Sequence, residues 1–322
     1  MFYLGIESTA HTLGIGVFDS GKQKILANAL DRYDLGKKGF IPRKLAEHHE
    51  KVFSKVLKQA LTESKVKLSD FDAIAYSQGP GIGHCLHVGL IAAKSLSELT
   101  GKPLIPVNHC VSHIEVTRFF TKLKDPVIVY VSGGNTQIIA RKGDSYKVLG
   151  ETLDLGLGNF LDNLGRTLNL TPPNAIGVMN SAKGELIDLP YSIKGMNVSF
   201  TGLLTKCEKL MTEVSKKDLC YSAQETSFAM IVEATERALK HLNKKEVIVC
   251  GGVACNTRLQ EMLAIMSKEN HCRFGVAKDE FNRDNGAMIA LTGSKAFEAN
   301  CVSKEEGVNQ KQRTDSVKIC WD

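Results

Sequence analysis

Val127-Ile128-Val129-Tyr130-Val131, then Ser132-Gly133-Gly134-Asn135-Thr136, then residues 137–141, reads as a buried strand, a small polar turn and a second strand. The chain uses the same device at its start. Phe2, Leu4 and Ile6 alternate with other residues, Ser8-Thr9-Ala10-His11-Thr12 makes a turn, and Leu13, Ile15 and Val17 alternate again. A third strand over 25–30 extends this first hairpin into a meander. Two such openings predict two α/β lobes, one expected over 1–125 together with 288–322 and the other over 126–287.

Working outward from the hairpins, Val52, Val56, Ala60 and Leu61 recur at helical spacing and predict a helix over 45–61. Strands are expected over 72–77 and 103–107, separated by a helix over 86–99 that ends at Gly101 and Pro103. In the second lobe the pattern predicts helices over 157–168, 224–242, 257–266 and 285–297, with a buried strand, Glu246-Val247-Ile248-Val249-Cys250, between the middle pair.

A chain of 322 residues with 43% hydrophobic residues has material for one large domain or two lobes with buried cores. No apolar run approaches the roughly 18 residues of a membrane span, and the N-terminus reads as a strand carrying Glu7 rather than as a signal peptide. Both features predict a cytoplasmic protein. The nine cysteines are odd in number and never spaced C-x-x-C, so mostly reduced core thiols are expected rather than a disulfide framework or a structural zinc knuckle. Lys and Arg exceed Asp and Glu by 41 to 35, a net charge of +6 that permits a polyanionic partner without demonstrating one. Residues 302–317 are polar, lack apolar periodicity and read as a loosely held tail.

Both hairpin turns are rich in Gly, Ser or Thr, residues that bring backbone N–H groups and hydroxyls close to an oxyanion. Tight hairpins need such residues on conformational grounds alone, so either turn by itself is open to both readings. A third turn, Gly251-Gly252-Val253-Ala254-Cys255-Asn256, sits between a buried strand and a helix, where ligands of open α/β sheets bind. Three such turns point to a nucleotide. His109 and His113, in His109-Cys110-Val111-Ser112-His113, fall at i and i+4, and on a helix both imidazoles reach one metal ion. Asp284, just before a helix, is either a third ligand or its N-cap.

These stretches also resemble, in order, the signatures of the universal tRNA threonylcarbamoyladenosine transferase family. The resemblance rests on Gly5-Ile6-Glu7-Ser8-Thr9-Ala10-His11-Thr12-Leu13-Gly14, Gly79-Pro80-Gly81-Ile82-Gly83, Asn108 to Glu115, Tyr130 to Thr136, Gly158-Asn159-Phe160-Leu161-Asp162, Lys194 to Gly202, Gln224 to Ala229, Gly251 to Asn256 and Asp284 to Met288. It extends from residue 1 to about residue 300. Ala10-His11-Thr12-Leu13-Gly14 is closer to the archaeal and eukaryotic branch, whose members work in the KEOPS complex.

The resemblance implies a two-lobed actin-like ATPase fold of the ASKHA class, built from duplicated ribonuclease H-like halves, with the active site in the interlobe cleft. It implies one divalent metal, iron or zinc, held by His109, His113 and Asp284 with Tyr130 as a possible fourth ligand. Ser132, Gly133, Gly134 and Asn135 would approach phosphate, Asp162 the ribose, and Gly251, Gly252 and Asn256 the adenosine end of threonylcarbamoyl-AMP, ATP or AMP. His11 is the candidate for proton transfer, and the neighbouring pair His48-His49 is a further one. The implied partners are tRNA, a small protein kinase, a small dimerising subunit, a tRNA-binding accessory subunit and an upstream threonylcarbamoyl-AMP synthase, with no membrane. One stretch departs from the family: where a glutamate usually helps to hold the ribose, after Thr171-Pro172-Pro173-Asn174, this chain has Val178, and weaker nucleotide binding is expected.

Three rival readings remain. A zincin-type protease needs a glutamate directly after the first histidine, where Cys110 stands, and Glu115 beyond His113 does not restore that motif. An actin-like kinase would share the lobes and turns but has no use for a His-His-Asp set. A catalytically weak scaffold or ATP-binding switch is the third possibility, supported by the altered stretch up to Val178.

Overall fold

Glycines on one face of the first hairpin, and branched apolar residues on the other, set how the N-terminal sheet is covered. The computed structural model describes residues 1–34 and 41–321. β1 (Phe2–Glu7), β2 (Thr12–Asp19) and β3 (Lys24–Arg32) form the antiparallel meander, and β4 (Ala73–Gly79) and β5 (Leu104–Asn108) run parallel to β1 in the order β3-β2-β1-β4-β5. Leu4, Ile6, Leu13, Ile15 and Val17 project from one face into a core shared with Val56 and Ala60 of α1 (Pro42–Ser64) and Ala93 and Leu96 of α2 (Gly83–Thr100). The opposite face carries Gly5 and Gly16. A Cβ on Gly16 would stand 2.1 Å from the Ala287 nitrogen, and one on Gly5 2.2 Å from the Ala290 nitrogen. Their absence lets the backbone of the last long helix lie directly on the strands.

The second sheet follows α3 (His109–Thr121). β6 (Val127–Val131) pairs antiparallel with β7 (Thr136–Lys142), β8 (Ser145–Glu151) lies beyond β7, and β11 (Glu246–Cys250) and β12 (Arg273–Val276) run parallel to β6, giving the order β12-β11-β6-β7-β8. Between them lie α4 (Leu157–Thr167), α5 (Ala175–Ser181), the short pair β9 (Ile193–Lys194) and β10 (Asn197–Val198), α6 (Thr201–Leu210) and α7 (Lys216–Leu242). α8 (Thr257–Glu269), α9 (Asp279–Asn282) and α10 (Gly286–Glu298) complete the chain's helices among the described residues, apart from short 3₁₀ turns. Val127, Val129, Val131, Val247 and Val249 share one core with Phe160, Leu164, Leu203, Phe228, Ile231 and Leu259.

The chain separates into two units: residues 1–119, 143–146 and 283–322 form unit 1, and residues 120–142 and 147–282 form unit 2. Each is an α/β unit around a mixed five-stranded sheet. α10 therefore belongs to unit 1, packed on β1, β2 and β4 although more than 200 positions separate it from them. α7 begins eight residues before the expected 224, at Lys216, because the Ser215 hydroxyl caps it by accepting the Asp218 N–H.

One expectation is corrected, and the cysteines add one bond to the mostly reduced set expected. Residues 302–317 are not a loose tail: Asn309 N–H donates to Gln78 O at 2.8 Å, Gly81 N–H to Gln310 O at 3.2 Å, and the Tyr76 hydroxyl to Gly307 O at 2.9 Å. Hydrogen bonds to the end of β4 hold this segment, so apolar periodicity is blind to it. Cys301 and Cys320 are joined by a disulfide across 19 positions, while the other seven cysteines are free thiols, five of them buried. That pair joins the end of α10 to the C-terminal strap and follows no recognisable spacing motif. Among the described residues, no helix is long and apolar enough to cross a membrane.

Candidate metal centre and nucleotide turns

Three parallel strands of unit 1, β1, β4 and β5, end on the same side of their sheet, and the candidate ligand side chains follow from that arrangement. The chain leaves β5 at Asn108, whose side-chain oxygen accepts the Val111 N–H at 3.0 Å and whose backbone oxygen accepts the Ser112 hydroxyl at 3.0 Å. Asn108 thereby caps α3 and starts its first turn at His109. His109 and His113 then stand one turn apart, 7% and 1% exposed, with ring centroids 4.7 Å apart. Asp284 reaches them from the residue pair before α10. The cap of α10 is Asn285, whose side chain accepts the Met288 N–H at 2.9 Å, so the Asp284 carboxylate is not the N-cap.

Asp284 Oδ1 lies 3.3 Å from His113 Nε2 and 3.6 Å from His109 Nε2, and one ligand atom from each of the three residues falls within 4.8 Å of the others. Around a tetrahedral metal with bonds of about 2.0–2.1 Å, ligand atoms are separated by about 3.4 Å. Both separations from Asp284 match that spacing, and the three donors lie close enough together to share one metal ion. Two imidazoles and a carboxylate suit zinc and ferrous iron alike.

Glu7, at the carboxyl end of β1 and fully buried, fixes which nitrogen of His109 faces the ligands. Its Oε2 is 2.9 Å from His109 Nδ1, so Nδ1 keeps its proton and Nε2 is the nitrogen that gives one up to a metal. Its other oxygen accepts the Thr9 N–H at 2.7 Å and the Thr9 hydroxyl at 2.5 Å. Burial opposes charge on His109, but the Glu7 carboxylate, with Asp284 behind it, outweighs burial and raises the imidazole pKa to about 9. Burial works against the Asp284 anion too, and the His113 contact and the charge of His109 overcome it, holding this carboxyl well below the usual range. His113 is shifted the other way, lowered by burial and by the charge of His109.

Engagement of Thr9 changes the reading of the first turn. Its N–H and hydroxyl are bound to Glu7, and the Ser8 N–H donates to Ser77 Oγ at 3.0 Å. The Thr9 donors are thus spent on Glu7, which holds His109 of the candidate metal triad, and the Ser8 N–H on Ser77. His11, half-buried at the end of the turn, lies in electrostatic range of Asp284 and of the buried His49. His49 is lowered to about 4 by burial and by neighbouring His48, which pairs with Asp31 at 2.9 Å.

The second and third turns are different. In unit 2 they follow adjacent parallel strands, β6 and β11, at their carboxyl ends, with Tyr130 beside Cys250 in the ladder. Tyr130 is buried there, 1% exposed. Ser132 and Asn135 close their turn on each other: Ser132 N–H donates to Asn135 O at 2.8 Å and Asn135 N–H to Ser132 Oγ at 3.1 Å. Gly133 and Gly134 are exposed at its tip, and a Cβ on Gly134 would meet nothing within 4 Å. Gly252 is likewise exposed with open space before it, whereas Gly251, at φ 92°, would drive a Cβ to 2.4 Å from Val131 O. Protein packing thus explains Gly251 but neither Gly134 nor Gly252, which fits turns left open for a ligand.

The remaining residues expected at the nucleotide have local duties. Asp162 accepts the Ala175 N–H at 2.8 Å and so anchors the start of α5. Asn256 caps α8, accepting from Arg258 and Leu259, and donates to Gln224 Oε1 at 3.0 Å. Val178 lies fully buried in the unit 2 core. Glu7 is the functional residue that sequence reading missed: it was seen only as a charge in a strand, and its partner is 102 positions away.

A family model described as tRNA N6-adenosine threonylcarbamoyltransferase matches residues 24–291. The tRNA N6-adenosine threonylcarbamoyltransferase of Thermococcus sibiricus is 48% identical over 327 residues, covering 100% of both chains. A probable bifunctional tRNA threonylcarbamoyladenosine biosynthesis protein of Methanosarcina barkeri is 46% identical over 99% of this chain and 60% of its own length. Among solved structures, HypF of T. kodakarensis superposes with a TM-score of 0.65 at 14% identity, covering 93% of this chain and 48% of that one. This last likeness concerns the fold alone and agrees with an actin-like ATPase type.

Proposed function

This chain belongs to the tRNA N6-adenosine threonylcarbamoyltransferase family, and from that premise we infer that it transfers threonylcarbamoyl from threonylcarbamoyl-AMP to the exocyclic amine of the adenosine 3′ of the anticodon, in tRNAs reading codons that begin with A. The observation that carries this reading is the His109, His113 and Asp284 set with Glu7 behind it, at the positions where the family's motifs fall. The balance is simple: the amine nitrogen bonds to the carbamoyl carbon, the bond from that carbon to the AMP phosphate oxygen breaks, and one amine proton is released. An already activated acyl donor needs orientation and charge stabilisation more than it needs a nucleophile on the protein.

The reading assigns iron or zinc to His109, His113 and Asp284, with Tyr130 as the candidate fourth ligand. Such a metal supplies Lewis acidity toward an acyl or phosphate oxygen. Glu7 keeps His109 in the ligating tautomer. Gly133 and Gly134, with Ser132 and Asn135 setting the turn, offer N–H donors to the phosphate, and Gly251 and Gly252 form the floor for the adenosine. Asp162 and Asn256 shape the site through α5 and α8. His11 is the candidate to accept the amine proton. A single-stranded anticodon loop presents its base without the cost of opening a duplex.

The bifunctional name of the M. barkeri relative supports a working association with other tRNA-modification proteins. We assign these as the KEOPS subunits, namely a small protein kinase, a small dimerising subunit and a tRNA-binding accessory subunit, together with a threonylcarbamoyl-AMP synthase upstream, all in the cytoplasm. A test is nucleoside mass spectrometry of tRNA incubated with the protein, threonylcarbamoyl-AMP and those subunits. Modified adenosine is expected in tRNA carrying adenosine 3′ of the anticodon and not in the same tRNA with guanosine there. Equal modification of both, or of neither, would refute the assignment.

A further inference from the structure

Two residues beyond His113, Glu115 is fully buried and sits at the hub of a charged cluster that the reaction does not use. It accepts Lys295 Nζ at 2.6 Å, the Tyr146 hydroxyl at 2.5 Å and Arg118 Nη1 at 3.1 Å. Burial disfavours this anion, and Lys295 and then Arg118 overcome it, keeping the carboxyl below its usual range. The three partners come from three places: Arg118 from α3 itself, Lys295 from α10, and Tyr146 from the start of β8.

Geometry gives the cluster a direction. At 3.6 residues per turn, position 115 is rotated about 200° from position 113, so Glu115 leaves α3 on the side away from the imidazoles. We propose that Glu115 is a positioning residue for the metal centre: by tying the back of α3 to Lys295 of α10 and to Tyr146, it fixes the rotation of the helix that carries His109 and His113 against the helix that follows Asp284. With side chains reaching about 5–6 Å from a helix axis, a rotation of 20° displaces a ligand atom by about 2 Å. Metal–ligand distances tolerate only about 0.2 Å. A clamp behind the helix is therefore as necessary to the ligand spacing as the ligands' own rotamers.

This inference rests on the metal reading above, and the experiment separates the two. Cobalt(II) is titrated into wild type, His109→Ala, Glu115→Gln and Val56→Ala, following affinity by chelator competition and geometry by the visible absorption band. Val56→Ala lowers stability in the same unit without touching the cluster. Cobalt binding by wild type and its loss in His109→Ala establish the site, and no binding by wild type overturns the metal reading and this inference together. With the site established, Glu115→Gln is expected to bind cobalt 10–100-fold more weakly and with an altered band, while Val56→Ala stays within about two-fold of wild type. An unchanged affinity and band in folded Glu115→Gln, or an equal loss in Val56→Ala, overturns the inference. Should Glu115→Gln fail to fold, Lys295→Met and Lys295→Arg decide it: Met must weaken cobalt binding and Arg must largely restore it, and indistinguishable Met and Arg proteins overturn it.

Discussion

Replacing Glu7 by Gln removes a charge without changing shape, and its effects can be worked from three contacts. Glu7 takes the Thr9 N–H at 2.7 Å, the Thr9 hydroxyl at 2.5 Å and the His109 Nδ1 proton at 2.9 Å. A glutamine that keeps its oxygen on Thr9 turns its NH₂ toward His109, whose Nδ1 must then accept. The imidazole proton moves to Nε2, the atom needed by the metal. Loss of such an outer partner weakens metal binding by about 10–100-fold, or about 1.4–2.8 kcal/mol. A second signature appears in protein stripped of metal. Because the folded His109 pKa is raised to about 9 from an ordinary value of 6.5, its contribution to stability is fully present below pH 6.5 and is lost as the pH rises through about 9. That contribution is on the order of a few kcal/mol. Denaturant unfolding of chelator-treated wild type should show stability falling between these limits, and Glu7→Gln should flatten the profile while zinc competition shows the weaker site. Zinc affinity within two-fold of wild type, or a pH profile that keeps its slope, would refute the reasoning.

Three further outcomes follow from the packing. Gly16→Ala, forcing a Cβ to 2.1 Å from the Ala287 backbone, should cost at least about 1–3 kcal/mol in a thermal melt and weaken metal binding by shifting α10. Gly134→Ala, with nothing within 4 Å of the new methyl, should leave the melting temperature within about 2 °C yet reduce AMP or ATP affinity measured by calorimetry. Val178→Glu, which restores the family's usual residue type, should lose more than about 3 kcal/mol of stability by burying an unpaired carboxylate in the unit 2 core, and should gain no nucleotide affinity.

Much of the fold is legible from alternation. Leu4, Ile6, Leu13, Ile15 and Val17 mark the first hairpin because one face carries large apolar residues under α1 and α2 while the other carries small ones under α10, and Val127 to Val131 marks the second because large apolar residues fill both its faces. The same period leaves the role of Gly5 and Gly16 unread: they lie on the opposite face from the leucines and receive α10, a helix more than 250 positions away in the chain. His109, His113 and Asp284 were readable as a candidate set through helical spacing and resemblance. Choosing between ligand and cap for Asp284 needed the structure, because Asn285 beside it is an equally good cap residue. Glu7 was not readable, since a carboxylate in a strand has no local signature of a partner on another element. The C-terminal strap and the bond from Cys301 to Cys320 escaped for a related reason: polar contacts to Gln78 and Asn108 leave no periodic trace. Glu115 was noted only as a residue that fails to complete a protease motif, and its hub position emerges when α3, α10 and β8 come together.

The most direct test is single-turnover transfer of labelled threonylcarbamoyl from its adenylate to tRNA, comparing wild type with His109→Ala, each with and without the kinase, dimerising and accessory subunits. The account predicts label on tRNA with wild type in the presence of those subunits, and its loss in the His109→Ala protein despite an unchanged fold. Label transferred equally by both proteins, or by neither when the wild type is folded and metal-loaded, would contradict it.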